Sequence, residues 1–141
     1  MILSAHFTLE EFTDSQTAAR KGIDNTPPPA VLDRLHRTAT GLELVRNLLQ
    51  APILISSGYR SPALNAAVGG SPNSQHMTGE AVDFTCPGFG PPSKVVQAIV
   101  QSIIPYDQVI VEFSKWIHIS FSLQPRKMAL VIDADGTRAW A

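Results

Sequence analysis

One cysteine, Cys86, stands among the 141 residues, so the chain has no internal disulfide and packing must hold it together. As a lone thiol, Cys86 reads as a small buried hydrophobe. Charge is scarce too: Asp, Glu, Lys and Arg make up 16% of the chain and leave a formal net charge of −1. That balance argues against a surface built to neutralise many phosphates, and so against nucleic acid as a partner. No apolar run approaches the roughly eighteen residues of a bilayer span, so stable membrane insertion is not expected. The opening MILSAHFTLEEF has neither a basic start nor a long apolar stretch, which argues against a conventional signal peptide. Repeats and low-complexity segments are absent as well.

What is present is a composition 44% hydrophobic, in a length that suits a single domain over residues 1–141 with a real core. Thr8 and Glu11 have capping-box spacing, which predicts a first helix fading out near Lys21-Gly22. Thr26 is a candidate cap, with Pro27 in the first turn, for a second helix running to about Gln50. Its apolar positions Val31, Leu35, Ala39, Leu42, Val45 and Leu49 recur at helical spacing, with Gly41 in the middle. PILIS, Pro52 to Ser56, reads as a buried strand, SPALNAAV as a short helix and EAVDF as a strand with Ala81 and Asp83 on one face. SKVVQAIVQSI is an amphipathic helix. DQVIVEF, WIHISFS and KMALVID are three further strands, the first two joined as a hairpin through Ser114-Lys115, and DADGT is a turn. Helices first and strands later predict an α+β domain, its helices packed on a mainly antiparallel sheet.

The four histidines are not equivalent. His6 and His36 sit among polar residues and read as solvated or partly packed. His76 lies in SPNSQHMTGEAVDF, seven positions before Asp83, and His118 lies in WIHIS. A catalytic zinc takes three protein ligands and leaves a fourth position to water. His76, Asp83 and His118 would supply such a set, with Gly79 and Ala81 letting the backbone turn between the first two. Alternation turns Trp116, His118 and Ser120 away from the core-seeking Ile117 and Ile119. Taken alone, however, a strand aspartate such as Asp83 is usually a solvated or capping residue.

Ser74, His76, Gly79, Ala81 and Asp83 fill the pattern S-x-H-x-x-G-x-A-x-D. It resembles the signature of the zinc D-Ala-D-Ala carboxypeptidase family, which includes cell-wall carboxypeptidases and phage endolysins and shares its fold with the hedgehog signalling domain. SSGYRSP, Ser56 to Pro62, and EFSKWIHISF, Glu112 to Phe121, are similar to the family's substrate-side loop and last-ligand segment.

The resemblance implies a hedgehog/DD-peptidase-like fold and one Zn2+ held by His76, Asp83 and His118. Glu112 would be the general base and Arg60 a catalytic or substrate-binding cation. Ser74, Tyr59 and Trp116 would line the substrate pocket, and Glu80 is a weaker substitute for the base. On strict alternation Glu112 shares a strand face with Ile110 and Ser114, so the hairpin must bring that face beside His118.

The implied activity is hydrolysis of a peptide bond in peptidoglycan stem peptides or crosslinks, as a D,D-carboxypeptidase or endopeptidase. A monomeric phage or prophage lysis enzyme fits, made in the cytoplasm and reaching the wall after holin-type release. The alternative is a non-catalytic zinc-containing binding or virion module of the same fold. Which bond is cut stays open, because one site plan serves several specificities.

Overall fold

The computed structural model describes residues 1–141 as five helices and six strands. Thr8 caps α1 (Leu9–Thr13) through a complete capping box with Glu11. The expected single first helix is in fact two. The chain turns extended at Asp14, and Ser15 caps α2 (Gln16–Lys21), which ends on Gly22 in the left-handed conformation at φ 64°.

The long helix α3 spans Pro29–Leu49, with Pro28 rather than Thr26 at its N-cap. Thr26 is held instead in a turn, its backbone N–H donating to Asp24 Oδ1 at 2.9 Å. Gly41 has a packing reason: the Phe121 ring lies 2.6 Å from where a Cβ would stand.

The strands are β1 (Leu54–Ser57), β2 (Ala81–Thr85), β3 (Gln108–Glu112), β4 (Trp116–Ser120), β5 (Met128–Asp133) and β6 (Gly136–Ala139), with α4 (Pro62–Ala67) and α5 (Pro92–Val100) between them. They form one six-stranded sheet in the order β1-β2-β4-β3-β5-β6. All pairs are antiparallel except β3 with β5. PILIS is not a buried strand: β1 is an edge, and Leu54 is exposed. Ile53, just before it, takes the core position. DADGT is more than a turn, since β6 follows directly and pairs Asp133 with Gly136.

One face of the sheet is apolar. Val82 and Phe84 of β2, Val109 and Val111 of β3, and Ile117 and Ile119 of β4 join a 25-residue core with α3 and α5. Cys86 is buried in the same cluster. The opposite face carries the alternate residues of the same strands, as the period-2 geometry demands. There Asp83 pairs with His118, His118 with Ile110, and Trp116 with Glu112. The core therefore fixes the register of the polar face, because a slip by one residue would expose every apolar side chain.

Candidate metal centre and substrate cleft

Asp83 and His118 are direct cross-strand neighbours, and His76 reaches them from the loop between α4 and β2. His118 Nδ1 lies 3.1 Å from Asp83 Oδ1, and His76 Nε2 lies 3.3 Å from the same oxygen. The ligand-capable atoms of the three residues all fall within 4.8 Å of one another. His76 is buried, and the other two are partly so.

Several contacts hold His76 in place. Its Nδ1 donates to the carbonyl of Gly58 at 2.7 Å, and its backbone N–H donates to Ser74 Oγ at 3.1 Å. Its carbonyl accepts from the Arg60 N–H at 3.1 Å. Beyond it, Gly79 takes φ 84° in a spot where a Cβ would sit 3.0 Å from Val31. Helix α3 then grips the loop: Thr38 Oγ1 donates to the Gly79 carbonyl and Arg34 to that of Thr78.

The donor set fits a metal ion. A carbonyl can only accept, so His76 donates from Nδ1, and the neutral ring that a metal needs would present its Nε2 lone pair toward Asp83. A lone pair facing a carboxylate oxygen at 3.3 Å is an arrangement that a cation relieves. Ligand atoms about 2.0–2.1 Å from a tetrahedral zinc stand roughly 3.3 Å apart, close to the two separations found here. Burial alone would raise the Asp83 pKa, but the two imidazoles beside it outweigh that and hold the group well below the usual range. Asp83 is therefore a carboxylate, the form a metal binds.

The three residues line a cleft of about 500 Å³ with Arg60, Ser74, Glu112 and Trp116. The register answers how Glu112 relates to His118. Glu112 pairs with Trp116, two residues along from the Ile110–His118 pair, and so lies on the face that carries His118. The turn that does this is shifted by one residue from the expected Ser114-Lys115 link. Phe113 and Ser114 both adopt positive φ, 54° and 55°, and Lys115 N–H closes onto the Glu112 carbonyl. Glu112 accepts the Trp116 indole N–H at 2.6 Å. Burial and then the Asp83 charge push its pKa up.

Arg60 donates through Nη2 to Ser74 Oγ at 3.3 Å, while its Nε is buried without a partner. Burial lowers its pKa, opposed by the charges of Asp83 and Glu112. Ser74 thus ties Arg60 and the His76 backbone together. Tyr59 is not brought to this cleft: it is buried in the core and edges a neighbouring groove that also reaches Arg60. Glu80 is engaged elsewhere, with Arg37 at 3.2 Å and Thr78 at 2.8 Å. His6 pairs with Glu43 at 2.6 Å, remote from the centre in the fold, and His36 lies exposed on α3.

Sequence reasoning passed over four residues that build the site, Asn25, Gln75, Asp107 and Arg126. The Asn25 side chain donates to the carbonyls of Thr13 and Tyr59 and accepts the Ser61 N–H at 2.7 Å, so it clamps both sides of Arg60. Asp107, expected only to start a strand, is buried. It accepts two side-chain bonds from Arg126, at 2.9 and 2.7 Å, and one from Gln75 at 2.9 Å. These are long-range pairings of residue types common in loops, and no local pattern marks them.

A family model described as Peptidase M15 matches residues 5–120, from the start of the helical region to the end of β4. No curated protein matches the chain.

Proposed function

Because the chain belongs to the peptidase M15 family, the family of zinc D-Ala-D-Ala carboxypeptidases, we propose that it is a zinc peptidase cutting a peptide bond in peptidoglycan stem peptides or crosslinks. In this reading residues 1–141 are one domain of the DD-peptidase-like fold. His76, Asp83 and His118 hold the ion. The observation that carries the reading is the convergence on one sheet face of that metal-fitting trio and the Glu112 carboxylate.

A zinc ion bound there supplies polarisation of the scissile carbonyl and acidification of the attacking water. Glu112 accepts the proton of that water and delivers it to the leaving amine. Its raised pKa suits the first half of the task, because a carboxylate of ordinary acidity would accept the proton less readily. Trp116 holds one carboxylate oxygen by its indole N–H and leaves the other for the water. Arg60, positioned by Ser74 and Asn25, donates to a substrate carboxylate or to the developing oxyanion, where a guanidinium fork is effective.

Ser74 already accepts from Arg60 and from the His76 backbone, so its hydroxyl proton is what it offers a substrate. Glu112 directed into the cleft favours catalysis over a purely binding zinc module, which needs no base.

The test is digestion of purified peptidoglycan by the zinc-loaded protein, with products identified by mass spectrometry against a His76→Ala control. New peptide termini absent from the control support the reading and name the bond. Intact muropeptides from several wall types, despite bound zinc, refute it.

A further inference from the structure

The end of the cleft away from Glu112 carries two polar groups that no catalytic step above uses. Along β3 and β4 the cleft floor is a series of cross-strand rows: Glu112 with Trp116, then Ile110 with His118 and Asp83, then Gln108 with Ser120 and Ala81. Asp107 stands just past the last row. It is buried, and its carboxylate fixes two cleft-lining side chains at once, Gln75 and Arg126.

Arg126 spends Nε and Nη2 on Asp107, and its backbone N–H also donates to Asp107 Oδ1. Its Nη1 makes no bond within the chain, although the guanidinium is held from two directions and its side chain is 53% exposed. Gln75 turns its Nε2 to the Asp107 carboxylate, which leaves Oε1 buried and unpartnered. A guanidinium donor, immobilised by one buried carboxylate, thus stands free at one end of the cleft. A side chain serving only to neutralise Asp107 would not need to line it.

We propose that Arg126 is a specificity-determining residue that takes a second substrate carboxylate. This deepens the peptidase reading and rests on it: the substrate is an acidic peptide, with a free carboxylate away from the bond that is cut. Strands advance about 3.4 Å per residue, so the Gln108 row lies roughly 7 Å from the Asp83–His118 row, and Asp107 about 10 Å. An extended peptide covers that span in two or three residues. The Asp107 charge largely offsets that of Arg126, so the contribution is directional recognition more than long-range attraction.

The test uses two synthetic stem peptides that differ only in whether a carboxylate two or three residues from the cleaved bond is free or amidated. Hydrolysis and calorimetric binding are both measured on the zinc-loaded protein. The wild type is expected to prefer the free acid by roughly tenfold in KM and in Kd, the scale of one charge-assisted hydrogen bond at a partly exposed site. Arg126→Gln should erase that preference, and Arg126→Lys should restore part of it. If the wild type treats both peptides alike, or Arg126→Gln weakens both equally, the inference is overturned. Binding separates this from failure of the peptidase reading. Should neither peptide be cut, an acid-over-amide difference in Kd that Arg126→Gln abolishes still supports the carboxylate site, and its absence removes it.

Discussion

Glu112 and Trp116 face each other as the last pair of the β3–β4 ladder, and the indole N–H donates to the carboxylate at 2.6 Å. That bond favours the charged form of a group whose pKa burial raises. Trp116→Phe removes it and pushes the Glu112 pKa higher still. As the proposed base, Glu112 is active only when deprotonated, so the acid limb of kcat/KM should move to higher pH. The pH–rate profile checks this, and an unmoved limb would separate Trp116 from Glu112.

Asn25 holds the loop on both sides of Arg60 with two hydrogen bonds, to Tyr59 and Ser61, and a third ties it to Thr13. Asn25→Ala should cost about 1–3 kcal/mol in urea unfolding, because backbone groups of Tyr59 and Ser61 lose their partner. It should also lower turnover through the displaced guanidinium. Arg60→Ala should lower turnover without that stability loss, a contrast visible by measuring both variants in both assays.

Asp107 sets an acid limit on stability. Its pKa falls from 3.8 to about 2 in the fold, first through the Arg126 hydrogen bonds. A depressed carboxylate contributes stability above its unfolded value and loses it as pH falls through the folded one. About 2 kcal/mol should therefore be present at pH 5 and above and drain away between roughly pH 4 and 2. Urea midpoints over that range should show the loss, and Asp107→Asn should flatten this part of the curve while lowering stability at neutral pH.

Gly41→Ala tests the packing of α3. Helix propensity alone favours alanine by about 1 kcal/mol. The new methyl would meet the Phe121 ring at 2.6 Å, so net destabilisation of about 1–3 kcal/mol is expected, read from thermal or urea unfolding.

Much of the centre is visible in the sequence because its parts are local. The spacing of His76, Gly79, Ala81 and Asp83 spans one loop and one strand, and alternation in WIHIS separates His118 from the core isoleucines. The orientation of Glu112 was not legible in the same way. It depends on a hairpin turn in which Phe113 and Ser114 carry positive φ, a conformation that neither residue type announces. The break between α1 and α2, and β6 after the DADGT turn, were missed because a short polar stretch suits helix, turn and edge strand alike. Asp107, Arg126 and Asn25 are long-range partners whose roles exist only once the chain is folded. The exposure of β1 follows from its place at the sheet edge, which an apolar run does not reveal.

The proposed function stands on a metal centre that works with Glu112 as its base. The most direct test measures zinc content and peptidoglycan hydrolysis together for the wild type and Glu112→Gln. About one zinc per chain is expected in both proteins, with hydrolysis reduced on the order of 100-fold or more in the variant. A Glu112→Gln protein that cuts as well as the wild type, or a zinc-replete wild type that cuts nothing, would contradict it.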